Sequence, residues 1–177
     1  MRRILLTAVV FTFLLTFSSV AVSLAEEADG FRGMRWGTPI AEIRRVNKLV
    51  MRQDDGKDKF VFYSMMNDNL RFGGVNAASI RYFFWRNKFA GVVIVTTGEL
   101  DFNVLKVATD EKFGLGITGI GPSGEEINGW DGEETVASLS YDGITRKGKL
   151  VIFSKMMNEL KEGLEAEKTG RAVERDF

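Results

Sequence analysis

Two acidic doublets, Glu125-Glu126 and Glu133-Glu134, flank Trp130 and Asp131. Carboxylates beside a tryptophan are the equipment of sugar binding and of glycoside hydrolysis, in which two carboxyl groups stand about 5–10 Å apart across one bond. Neighbouring acids on a strand point to opposite faces, however, and acidic turns commonly face water. A solvated rim is the simpler expectation. A carboxylate-dependent hydrolase of an envelope glycan, built on Glu125, Glu126, Asp131, Glu133 and Glu134, is the alternative. Gly114-Leu115-Gly116-Ile117-Thr118-Gly119 has the spacing of a dinucleotide-binding loop. That motif needs a strand before it and a helix opening at its third glycine. Here a helical pattern precedes it, and Gly121-Pro122-Ser123-Gly124 follows, so a flexible connection and no cofactor are expected. Asp54-Asp55-Gly56-Lys57-Asp58 lacks the ligand spacing and closing glutamate of a calcium loop. Ser123 and Ser154-Lys155 fit neither a nucleophile elbow nor a Ser-x-x-Lys arrangement.

The chain of 177 residues holds no histidine and no cysteine. This excludes imidazole bases, thiol nucleophiles, Ser-His-Asp triads, intrachain disulfides and the common zinc and copper sites. No catalytic residue, cofactor or metal site is assigned. The remaining candidate is a surface. Tyr82-Phe83-Phe84-Trp85 lies between Arg81 and Arg86, a composition that could stack single-stranded bases. Formal net charge is zero, and removing residues 1–25 takes away two arginines and no acid, which leaves no attraction for nucleic acid. Strand alternation sets Arg81, Phe83 and Trp85 on one face and Tyr82 and Phe84 on the other. An exposed Arg81/Phe83/Trp85 face is expected to bind an envelope protein or a small apolar ligand.

The elements that must position this face follow from patterning. Arg2 and Arg3 precede an apolar run from Ile4 to Phe17, and Ser23-Leu24-Ala25 supplies small residues at a cleavage site. This is a signal peptide, with cleavage expected after Ala25 and a periplasmic or secreted product. An uncleaved anchor is the rival reading, but no stable membrane insertion is expected after cleavage. Residues 26–165 are expected to form one domain and residues 166–177 a charged tail. Thr38 and Pro39 open a helix over about residues 39–49, with Ile40, Ile43, Val46 and Val50 on its stripe. Ala78–Thr97 is a hairpin that turns at Arg86-Asn87-Lys88 and lies centrally in a sheet. Asp101 caps a second helix, with Leu100 stapled to Leu105 and Gly114 as its stop. Strands near Trp130, over Thr135–Tyr141 and over Lys149–Ser154 follow, then a closing helix bearing Met157, Leu160 and Leu164. The order is helix then strands, twice. It predicts an α+β fold, an antiparallel sheet of hairpins covered by two or three helices, in two helix-plus-three-strand units.

Gly30-Phe31-Arg32-Gly33-Met34-Arg35-Trp36-Gly37-Thr38 resembles the opening of a group of small bacterial exported proteins, a G-F-R-G-x-x-W-G-T motif after the signal peptide. The likeness continues through Tyr82–Trp85, Asn87-Lys88, Val92–Val95 and Phe113-Gly114. It implies an exported location and an α+β fold, and no activity or site. Helix-plus-three-strand units are similar, more distantly, to small envelope proteins of the outer-membrane assembly lipoprotein or β-lactamase-inhibitor type. This chain lacks the lipidated cysteine of the former. The Phe83/Trp85 face and the missing catalytic chemistry together point to a non-catalytic binding or envelope-assembly module.

Overall fold

β-branched and aromatic residues recur in runs from residue 60 onward, and the structure, a computed structural model, answers with one large sheet among the described residues. It describes residues 29–54, 60–121, 124–160 and 162–163; the leader and the charged tail lie outside them. The chain opens with a small hairpin, β1 (Gly30–Phe31) and β2 (Met34–Arg35), followed by α1 (Ile40–Val46), β3 (Leu49–Asp54) and β4 (Phe60–Met65). A second small hairpin, β5 (Arg71–Phe72) and β6 (Val75–Asn76), leads to β7 (Ser79–Trp85) and β8 (Lys88–Thr97). Then come α2 (Glu99–Phe113), β9 (Ile117–Ile120), β10 (Glu126–Asp131), β11 (Thr135–Asp142) and β12 (Lys147–Ser154). A further helix, α3, is described over residues 155–160.

Among the described residues, eight strands pair antiparallel in the order β3-β4-β7-β8-β12-β11-β10-β9. The fold is therefore α+β with an antiparallel sheet, as patterning predicts. Each half is a helix followed by four sheet strands, one more than the sequence suggests. The halves meet at their last strands, β8 and β12, where Val95 faces Lys149, Ile94 faces Leu150 and Val93 faces Val151. The added strands have local reasons. Val46 and Val50 have helical spacing, but Val46 is 82% exposed and the chain enters β3 at Leu49. Ile117–Ile120 pairs with β10 although glycines surround it.

Both long-range helices cover one face. Ile40 and Ile43 of α1 and Phe102 and Leu105 of α2 join Ile80, Tyr82, Phe84, Phe89, Ile94, Leu139 and Leu150 in a single buried cluster. Alternation aims these even-numbered β7 side chains at the helices, and burial of that many apolar groups is the main driving force. The opening motif straps this face. Phe31 packs on Phe72 and Tyr82, with ring centroids 5.5 and 6.0 Å away. Arg32 donates to the Asp68 carboxylate at 2.8 Å, and the Tyr82 hydroxyl donates to the same group at 3.0 Å. Trp36 stacks on Phe89 at 5.0 Å and donates its indole N–H to Thr135 at 2.8 Å, crossing the seam between the halves. Thr38 does not cap α1. Its carbonyl accepts from Phe89 N–H and Pro39 bridges to Lys88, so the chain stays extended until Pro39, which is the N-cap.

In α2 the start also differs from expectation. Gly98, held by its N–H to the Arg146 carbonyl, is the N-cap, and Asp101 sits inside the first turn with Glu99. There both acids favour the positive helix end. Leu100 is 77% exposed and makes no staple. The end is as predicted: Phe113, then Gly114 at φ 85°. Asp110, in the last turns, accepts from Gly116 N–H at 3.0 Å, Trp130 Nε1 at 3.1 Å and Lys106 Nζ at 3.0 Å. Burial pushes this carboxyl up, but the three donors outweigh it and hold it below the usual aspartate range. A carboxyl lowered in the folded state adds stability above its unfolded value that is lost as pH falls through the folded one. Denaturant titrations from pH 7 down to pH 2 should therefore show an acid-dependent loss that is smaller in Asp110→Asn. Identical pH profiles for the two proteins would refute this role.

Candidate functional site

The opposite sheet face carries neither α1 nor α2, and the residues that reach it follow from register. One row runs Phe62, Phe83, Gly91, Phe153 and Val136 across β4, β7, β8, β12 and β11. The next two rows on this face are Arg81, Val93, Val151, Ser138, and then Ser79, Val95, Lys149, Ser140. The face is thus apolar at one end and polar at the other.

Arg81, Phe83 and Trp85 do share this face, but the two aromatics are not exposed. Phe83 and Trp85 are only 8% and 6% accessible and form a second buried cluster with Ala90, Val93 and Met157, joined by Phe60, Phe62 and Phe153. The cause is close ring packing. Phe60 and Phe62 each place their ring centroids 5.6 Å from that of Phe83. Met157 from α3 joins the same cluster, and the Arg86 guanidinium lies 4.8 Å above the Trp85 ring. The expected aromatic landing surface is corrected accordingly: Phe83 and Trp85 are buried in a second core, and Arg81 alone of the three lines an opening.

That opening is a groove of about 870 Å³ at the polar end of the face. Ser79, Arg81, Val95, Ser140, Lys147 and Lys149 form its base, and Gly124-Glu125 and the β11–β12 turn, Asp142 to Thr145, form its walls. Arg81 is braced from below by the Phe62 ring, 5.6 Å from its guanidinium carbon. None of the ion pairs among the described residues involves Arg81, Lys147 or Lys149. Asp142 accepts from the Thr145 hydroxyl at 2.6 Å and from the N–H groups of Thr145 and Ile144. These bonds, with Lys147 nearby, hold its carboxyl below the usual aspartate range. Its oxygens are thereby occupied by the turn. The base of the groove carries three cations, Arg81, Lys147 and Lys149, with serine hydroxyls in the same rows, while the Glu125 and Asp142 carboxylates stand in its walls.

Sequence reasoning missed Ser79, Ser140, Lys147 and Lys149. The signal for the lysines was the alternation Lys147, Lys149, Val151, Phe153, which sets all four on one face. The acidic candidates, in contrast, are not brought together. Glu125 and Glu126 stand at one end of β10, and Asp131, Glu133 and Glu134 stand at the other, roughly 17 Å away at strand rise. Asp131 is held by Lys155 at 2.8 Å, and Glu126 accepts from Asn128 at 3.3 Å. Among the described residues no group of three acids could hold a metal. The glycine motif is structural: Gly114 ends α2, Gly116 packs against the Trp130 indole, and Ile117 begins a strand where a nucleotide loop would begin a helix. Arg32, Asp68 and Tyr82 line a smaller hollow of about 260 Å³. Burial and the adjacent Asp68 carboxylate push the Tyr82 phenol well above the usual tyrosine range, so it serves as a hydrogen-bond donor there.

No helix among the described residues is long and apolar enough to cross a membrane. Compared with known proteins, the chain matches no family model, no curated protein and no solved structure.

Proposed function

We propose that the protein is a non-catalytic binding module of the bacterial envelope whose groove takes an anionic ligand, a carboxylate- or phosphate-bearing group. The observation that carries this reading is the cationic base formed by Arg81, Lys147 and Lys149 on the face that α1 and α2 leave open. A guanidinium braced on an aromatic ring is pre-organised for paired hydrogen bonds to carboxylate or phosphate oxygens. Ser79 and Ser140 supply neutral donors in the same rows, and Val95 supplies an apolar contact. The envelope location rests on the leader from Arg2 to Ala25, and the absence of histidine and cysteine supports binding over turnover.

Calorimetric titration with an acidic peptide and with inorganic phosphate tests this. Binding of at least one probe is expected, weakening with added salt because the contacts are charged and solvent-facing. Arg81→Glu combined with Lys149→Glu should reduce affinity at least tenfold with an unchanged melting temperature. Equal binding by the doubly substituted protein, or none by the parent, would sink the reading.

A further inference from the structure

The two edges of the sheet are built differently. On one, β3, the register shifts between Met51 and Gln53, and the sequence places Arg52 and Asp54 in the strand. Bulges and charges are the devices that keep an edge from pairing with another chain. On the other, β9, neither device is present. It pairs only with β10, so its outer backbone groups have no strand partner among the described residues. No charged residue occurs from Phe113 to Gly124. Leu115 is 92% exposed, Ile117 81% and Ile120 76%.

We propose that β9 is the interface through which two copies of this chain associate, edge to edge, into one continuous antiparallel sheet. The local sequence is complementary to itself. Directly opposed residues in an antiparallel pair lie on the same sheet face. A two-fold axis through Thr118 therefore sets Ile117 opposite the second copy's Gly119, and Ile120 opposite the second copy's Gly116. Each large side chain meets a residue without one. Nothing lies within 4 Å of a side-chain carbon built at Gly119, so Ile117 has room there, whereas the space over Gly116 is filled by the Trp130 indole, which gives Ile120 an apolar ring to meet. The axis runs perpendicular to the sheet, so both copies keep their helices on the same side. So short an edge buries much less than the roughly 1,600 Å² of a standard interface, and the dimer is correspondingly weak. This association is independent of the groove.

The natural absence of cysteine gives a clean test. Opposed Cα atoms lie about 4.5–5.5 Å apart, within the roughly 4.4–6.8 Å that a disulfide spans. Protein expressed from the full chain as Thr118→Cys should form a covalent dimer under mild oxidation at least tenfold faster than Leu100→Cys, whose exposed position on α2 reports random collision. Sedimentation equilibrium of the parent should show monomer passing to dimer with concentration, and Ile117→Lys should remain monomeric. A parent that stays monomeric to about millimolar concentration overturns the proposal. So does Thr118→Cys crosslinking no faster than Leu100→Cys, a result that decides the matter even should Ile117→Lys fail to fold.

Discussion

Phe89→Ala is expected to remove about 3–5 kcal/mol of stability, the range for truncating a buried aromatic side chain. Phe89 is fully buried, with ring neighbours at 5.0 Å (Trp36), 5.5 Å (Phe84) and 6.3 Å (Tyr82). It is also the strand residue to which the opening strap is pinned, accepting from Gly37 N–H and donating to the Thr38 carbonyl. Those two bonds are backbone and survive the substitution, but Trp36 loses the ring that fixes its indole beside Thr135. With total stabilities of about 5–15 kcal/mol, such a loss is a large share of the whole. Urea titration followed by far-UV circular dichroism measures it directly. A loss under about 1 kcal/mol would show that the strap does not depend on this contact.

Gly91→Val should be more damaging and yield no folded protein. Gly91 faces Phe83 on one side and Phe153 on the other, at the point where the β7–β8 register shifts. A side-chain carbon there would collide with the Phe83 ring and approach the Ile152 carbonyl oxygen to 2.5 Å. The ring can swing aside, but the carbonyl belongs to the central strand pairing and cannot. Gly91→Ala is therefore expected to cost more than about 4 kcal/mol, a size confined to a few mechanisms such as overpacking. Adding Phe83→Leu should restore only part of that loss. Equal melting temperatures for Gly91→Ala and the parent would refute the account.

Much of the fold was legible because period-2 and period-3.6 patterns were strong where burial is one-sided. The β7–β8 hairpin with its turn at Arg86-Asn87, the α2 end at Gly114 and the strands around Trp130 and after Thr135 all followed from alternation and turn residues. The failures have a common origin in tertiary contacts that override local signals. Thr38 had the chemistry of a cap, but its backbone was already committed to Phe89. The Val46–Val50 spacing suggested another helical turn where pairing with β4 made a strand. Ile117–Ile120 was hidden among glycines because an edge strand exposed on both faces has no apolar alternation to display.

The site was half legible. Strand parity placed Arg81, Phe83 and Trp85 on one face, and this is where they are. Parity cannot say whether a face is wet. That depended on Phe60 and Phe62 from β4 and Met157 from α3, which converge on the aromatics from distant parts of the chain. The lysines that join Arg81 come from β12, and only the pairing of β8 with β12 brings them near it.

That pairing also sets how small this molecule can be made. β8 and β12 are each the innermost strand of their own half, and every other neighbour they have belongs to the same half. Severing the chain at Gly98 would not liberate two miniature proteins. It would strip a long, apolar flank from each fragment, the kind of naked border that recruits strangers and precipitates. The halves are obligate companions, and genetic dissection of this protein must proceed by point substitution, since neither piece is whole without its twin.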